Sequence, residues 1–316
     1  MGAALPALQP GQASGAAPFK TLTPRHLALF RELGDLKRIH SADQAGSIAQ
    51  RLFMRAWQSL AAGARPADAM AHTVAMALAA VRLGDLDRAK LEQLSLTPVE
   101  ATAVLQRGFD EVAGAVDPGL ADRLRAVLAD PPLPLAPAPA FARQLCRQPR
   151  AGVTCPGRSR LMLAPAENHA EHSLMVALYG VLAAPVFDAD PTAVFLAAMA
   201  HHLHSAAMPD SGYTGEMLLG DKLDFVIEHA RALAFVALPP RLVMALSAAL
   251  APIASDRTPQ ARAFHAADVL DRVLEIEHHL KASGTTMNDV LGGYGLVHEG
   301  PVKRFHDQVL QGVGLP

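Results

Sequence analysis

Cysteine is scarce in this chain: its 316 residues include two, Cys146 and Cys155. Two thiols can close one disulfide but cannot build a disulfide framework, and neither belongs to a C-x-x-C unit that would suggest a zinc–thiolate site. Two free thiols in a reducing cytosol, hence a cytoplasmic protein, is the expectation. Aromatic residues are also few, at 5%, although 51% of the chain is hydrophobic. Much of that fraction is Ala and Leu, which favours helices over sheets. No Lys/Arg block stands out and the formal net charge is −2. Electrostatically driven binding to a nucleic-acid polymer or a membrane surface is therefore not expected. No uninterrupted apolar run reaches about 18 residues, so no transmembrane helix is expected. The first residues lack a basic segment and are broken by prolines, unlike a secretory signal. No segment reads as a convincing strand.

What the chain does have is helix punctuation. Residues 1–22, rich in Ala, Gly, Pro and Gln, offer no periodic apolar face and read as a flexible tail. Thr23-Pro24 opens a helix carrying Leu27, Phe30, Leu33 and Leu36 at helical spacing. Ser41, with Gln44 as its capping-box partner, is expected to open a second, in which Ile48, Leu52, Trp57 and Leu60 face a core. Further helices are expected over 66–83, 85–94, from Thr97-Pro98 to about 115, and from Asp117-Pro118 to about 129. Residues 23–130 thus form a helical bundle, open to two roles: a homodimer interface or a lid. The run PPLPLAPAPAF over 131–141 cannot continue a helix and reads as a linker between domains. In the second half, helices are expected over 168–184, from Asp190-Pro191 to about His204, over 221–237 and 239–251, and from Thr258-Pro259 to about 282. Two short pieces follow, near 286–291 and 301–311, and Pro, Asp-Ser-Gly and Thr-Gly make 205–220 a loop. The whole is an all-α chain.

Three pieces carry chemistry. ENHAEHSLMVAL (167–178) places His172 on the first turns of an apolar helix, LAAMAHH (196–202) ends in the adjacent pair His201 and His202, and FHAADVLDRVLE (264–275) contains Asp268. A buried carboxylate in an apolar setting needs a partner, and a cation is one. Imidazole with carboxylate suits a divalent ion such as Zn, Fe, Mn or Co. His172, His201, His202 and Asp268 are the candidate metal ligands. His169 is a candidate for the layer behind them, and His265 for an added or alternative ligand. His278 and His279 fall among charges and are expected to be exposed.

Over roughly residues 160–280 these three pieces resemble the HD-domain superfamily of all-helical, metal-dependent phosphohydrolases. The ENxxEHS form is most similar to its bacterial five-prime deoxynucleotidase branch. The resemblance implies an HD-type metal-binding domain over 142–316 that hydrolyses a small phosphate ester, such as a nucleotide. The family's first His falls on His172, its His-Asp pair on His201 and His202, and its last Asp on Asp268. Histidine in place of the pair's aspartate removes a carboxylate able to bridge two ions, so one ion rather than two is expected. The branch's glutamate after the pair is replaced by His204-Ser205. Its phosphate-gripping arginine, expected shortly before ENxxEHS, has only Arg158 and Arg160 nearby, out of register, while TGE (214–216) resembles the family's TGD.

For a hydrolase, Glu216, Asp210 and His204 are the candidates for general acid and base. Arg160, Lys222 and Arg272 are the candidates for holding a phosphate, although Arg272 also stands four residues after Asp268, where the two can pair. Two rival functions share the fold: an iron oxygenase, and a non-catalytic scaffold or sensor.

Overall fold

The computed structural model describes residues 22–281 and 285–316. The tail expected over 1–22 lies outside these residues except for Leu22, which is fully buried. The described chain is all-α, with fourteen helices.

The first half holds α1 (Pro24–Gly34), α2 (Ile48–Ala61), α3 (Pro66–Leu83), α4 (Arg88–Gln93), α5 (Pro98–Asp110) and α6 (Pro118–Val127). Four of these begin on proline, whose fixed φ suits the first helical turn. Thr97 and Glu100 close the capping box of α5 as their spacing predicts. The helix expected from Ser41 begins later. Residues His40–Ser41 (β1) and Gln44–Ser47 (β2) instead form a small antiparallel hairpin, so the chain is not free of strand. Gly46 has φ 78°, a conformation that breaks a helix running through it. The capping box belongs to Ser47 and Gln50.

The second half holds α7 (Ala140–Leu145), α8 (His169–Ala183), α9 (Pro191–Ala200), α10 (Gly212–Leu219), α11 (Leu223–Phe235), α12 (Pro240–Leu250), α13 (Pro259–Leu280) and α14 (Lys303–Gly312). The segment expected to be a loop over 205–220 contains α10 and a 3₁₀ turn, Leu203–Ala206. One turn of π-helix, Asp289–Gly293, precedes α14.

Residues 131–139 run without helix, as their prolines require. The buried side chains on either side of them belong to one continuous cluster, from Leu22 to Leu315. The Tyr179 ring of α8 stacks on Phe30 of α1 at 4.4 Å, and its hydroxyl donates to the Phe30 carbonyl at 2.7 Å. The central helix is α8, every residue of which is buried. His169–Phe187 is long and apolar enough to cross a membrane by length and composition, but 89% of that window is buried against the rest of the protein. Helices α2, α9 and α13 pack around α8.

Candidate metal centre

The ENHAEHS segment assigns a separate task to each polar residue. Asn168 caps α8 by accepting from the Glu171 amide at 3.0 Å, and Glu171 accepts from the Asn168 amide at 3.0 Å. The other Glu171 oxygen accepts from Ser47 Oγ at 2.6 Å, joining the start of α8 to the start of α2. Glu167 accepts from Lys37 Nζ at 2.8 Å. With the helix start fixed, His172 lies on its first turns, fully buried.

His172 Nδ1 stands 2.7 Å from Asp271 Oδ2. A carboxylate there accepts a hydrogen bond from Nδ1–H, which in the neutral ring leaves Nε2 as the free nitrogen. That Nε2 lies 3.3 Å from Asp268 Oδ1 and 3.2 Å from His201 Nε2.

The His-His pair lies just past α9 rather than on it. Helix α9 stops at Ala200, His201 is its C-cap, and the backbone leaves helical geometry at His202. His201 Nδ1 donates to the Ala198 carbonyl at 2.6 Å, closing one of the helix's open carbonyls. This too leaves Nε2 bare. The His201 and His202 rings lie 4.2 Å apart between centroids. One ring nitrogen each of His172, His201 and His202 lie within 4.8 Å of one another, a set able to hold a metal ion. Ligands about 2.1 Å from a tetrahedral ion stand about 3.4 Å apart, close to the separations around His172 Nε2.

Electrostatics favour the ligating forms of His201, His202 and Asp268, while the His172 imidazole holds a proton more readily. Burial, then the neighbouring imidazoles, hold His201 and His202 well below the ordinary histidine range, so both are neutral. Burial and Arg150 push His172 down, but Asp268 and Asp271 outweigh them and raise it. Burial works against the Asp268 charge, yet His172 and Arg272 keep it well below the carboxylate range.

Above these residues opens a cavity of ≈ 370 Å³. His201, His202, Asp268, Asp210, Glu216 and Arg272 all reach its wall. Asp210 is already engaged: it accepts from the Ala151 and Gly212 amides at 2.9 and 2.8 Å and lies 3.3 Å from His169 Nε2. Burial, then repulsion from Asp210, raises the Glu216 carboxyl, so it retains a proton more readily than an exposed glutamate. Arg272 donates to the Leu296 carbonyl at 3.0 Å and stands 4.0 Å from Asp268, the pairing that their i,i+4 spacing allows.

Three predicted site residues lie elsewhere. His204 is off the cavity wall, and burial holds its imidazole down at about 4. Arg160 donates to the carbonyls of Ala151 and Ser211, bracing two loops. Lys222 is exposed and pairs with Asp221 at 2.8 Å. His265 does line the cavity, but its Nε2 is taken by the Ile253 carbonyl at 2.9 Å.

A second arginine at the cavity, Arg150, was not among the residues predicted from the sequence. Its Nε is 3.9 Å from Glu167 and 4.0 Å from Asp210. One terminal nitrogen is shielded from solvent without a hydrogen-bond partner among the described residues. Its position comes from a pairing with the segment that leads into α8: the Arg150 amide donates to the Glu167 carbonyl at 2.8 Å, and Pro149 bridges Asn168. Asp271 and Lys37 also escaped sequence reading. Asp271 stands three residues after Asp268, one helical turn along the same face.

No family model, curated protein or solved structure matches the chain. Its chemistry therefore rests on this constellation.

Proposed function

We propose that the chain is a metal-dependent phosphohydrolase of the HD type, acting on a small phosphate ester such as a nucleotide. One observation carries the reading. His172 Nε2 and His201 Nε2 stand 3.2 Å apart beside His202 and Asp268, and His201, His202 and Asp268 line a cavity that Arg150 and Arg272 also line. Two lone pairs in that position repel unless a cation or a proton lies between them.

His172, His201, His202 and Asp268 would hold one divalent ion, of the Mn, Co, Zn or Fe type. When bound, such an ion lowers the pKa of a water ligand and polarises a phosphoryl oxygen. The remaining work belongs to the chain's own groups. Arg150 offers its unpartnered nitrogen to an anionic oxygen, with Arg272 across the cavity as a second cation. Glu216, its carboxyl raised, can carry a proton to the leaving oxygen. Asp210 holds the Ala151–Gly212 loops in place through its two accepted amides. Tyr213, stacked on His298 at 3.7 Å, and Phe264 supply aromatic surface for the organic part of the ester.

A second reading, an iron oxygenase, is favoured by the absence of a carboxylate from the adjacent pair: three histidines with one aspartate contain the two-histidine, one-carboxylate set of a single redox-active iron. Elemental analysis of wild type, His202→Ala and Asp268→Ala decides between them. Stoichiometric Zn, Mn or Co lost in both variants, with phosphate released from a panel of phosphate esters, supports the hydrolase. Iron with oxygen uptake supports the second reading. A protein that takes up no divalent ion removes both and leaves a scaffold.

A further inference from the structure

Lys37 belongs to the N-terminal half, on the 3₁₀ turn Asp35–Lys37 that follows α1. Its side chain is 4% exposed, and its ammonium touches three carboxylates: Glu167 at 2.8 Å, Asp271 at 3.0 Å and Glu275 at 2.8 Å. Glu167, His172 and Asp271 make a second group with metal-ligand spacing, but its carboxylates already share an internal cation, Lys37. The open position is therefore the one among the three histidines.

The contact with Asp271 has a direction. Asp271 Oδ1 accepts from Lys37, and Asp271 Oδ2 faces His172 Nδ1 at 2.7 Å. With one oxygen held by the ammonium, the carboxylate plane is set and the other oxygen points at the imidazole. The proton then resides on Nδ1, and Nε2 is presented to His201 and Asp268. The relay Lys37–Asp271–His172 thus runs from the N-terminal half into the ligand set. The wider network does not share this property. Glu275 also pairs with Arg38 at 2.6 Å and with His279 at 3.0 Å, and neither contact reaches a histidine of the centre.

We propose that Lys37 is a positioning residue of the metal centre: through Asp271 it fixes the tautomer and orientation of His172, so that the centre is incomplete without the N-terminal half. This rests on the reading of the three histidines as a metal site.

The test uses the full chain and Co(II) as the probe, with Lys37→Met beside Glu275→Gln. The second variant removes an ion pair of similar burial from the same network while sparing the link from Asp271 to His172. Lys37→Met is expected to weaken Co(II) binding about 10- to 100-fold, the range for loss of a partner behind a ligand, and Glu275→Gln to leave it within about twofold. NMR of the imidazole nitrogens of the metal-free protein reads the tautomer directly. His172 should be protonated at Nδ1 in wild type and in Glu275→Gln, and lose that preference in Lys37→Met. Equal cobalt affinity and an unchanged tautomer in Lys37→Met overturn the proposal. If wild type binds no cobalt, the metal reading fails, and the tautomer still decides the role of Lys37. Should Lys37→Met not fold, the triple variant Lys37→Met, Glu167→Gln, Glu275→Gln, which leaves Asp271 as the one carboxylate of the cluster, is read by the same two measurements.

Discussion

His172 Nε2 and His201 Nε2 stand 3.2 Å apart, and each ring has its other nitrogen committed, to Asp271 in one case and to the Ala198 carbonyl in the other. When both rings are neutral, these partners place each proton on Nδ1, and the two Nε2 lone pairs aim into the same space. This is what a ligand pair requires before any ion arrives.

Metal addition is therefore expected to stabilise the folded protein. An ion present at about a thousand times its dissociation constant adds about 4 kcal/mol to unfolding, and a chelator removes it. His172→Ala and His201→Ala should abolish that increment. The check is urea unfolding of each protein with and without the ion.

Arg150 has a buried terminal nitrogen without a hydrogen-bond partner among the described residues, and it is the anion-binding group of the proposed hydrolase. Arg150→Met should raise KM for a phosphate ester about 10- to 100-fold, the cost of about 1.5–3 kcal/mol for a lost charged hydrogen bond. Arg160→Met and Lys222→Met should leave KM unchanged, because those side chains point at loop carbonyls and at Asp221. Steady-state kinetics on the three variants checks this.

Glu216→Gln should lower kcat by about a hundredfold or more with little change in KM, as expected when proton transfer to the leaving group is lost. Because burial and Asp210 raise the Glu216 carboxyl, the wild-type rate should fall with rising pH at a point above the ordinary value of 4.5, and that limb should vanish in the variant. The pH profile of kcat for both proteins is the measurement.

The Lys37 cluster predicts a stability effect separate from its role behind His172. Removing one partner of a buried ion pair typically costs about 3–5 kcal/mol, so Lys37→Met should be among the more destabilising single changes. Glu275 adds pH dependence. Burial works against its charge, but Lys37 and Arg38 hold it at about 2. A carboxyl lowered in the folded state contributes stability that is complete above its unfolded value of 4.5 and is lost as pH falls toward about 2. Denaturant unfolding of Glu275→Gln against wild type across that range should show the difference closing with acid.

His306 works in the opposite chemical sense with the same outcome. Burial lowers its imidazole to about 4, and one ring nitrogen is enclosed without a hydrogen-bond partner among the described residues. A histidine that folds neutral binds its proton more weakly than when unfolded. Stability is therefore full above 6.5 and declines as pH falls through about 4, by on the order of 3 kcal/mol at most. His306→Phe should flatten that part of the metal-free protein's acid unfolding curve.

Helix starts were legible because their causes are local: Thr97, Asp117, Asn168, Asp190 and Thr258 each cap a helix through a side chain within three residues. The hairpin at 40–47 was missed because Ser41 and Gln44 imitate a capping box, while Gly46 with its positive φ moves the true start to Ser47. Lys37 did leave a sign, a charge four residues after Leu33 and seven after Phe30, where the 3₁₀ turn continues the apolar spacing of α1. Nothing in its neighbourhood said which charges awaited it.

The sequence by itself determined the all-α class, most helix boundaries, and the candidate ligands His172, His201, His202 and Asp268, because residue type and short spacing carry those signals. Only the tertiary structure decided that His204, Arg160 and Lys222 lie off the cavity wall, that Arg150 lines it, and that Asp271 and Lys37 stand behind His172. The Lys37 contacts with Glu167 and Asp271 cross 130 and 234 residues of chain. A buried charge takes whichever partners packing brings within about 3 Å, and that choice has no local signature.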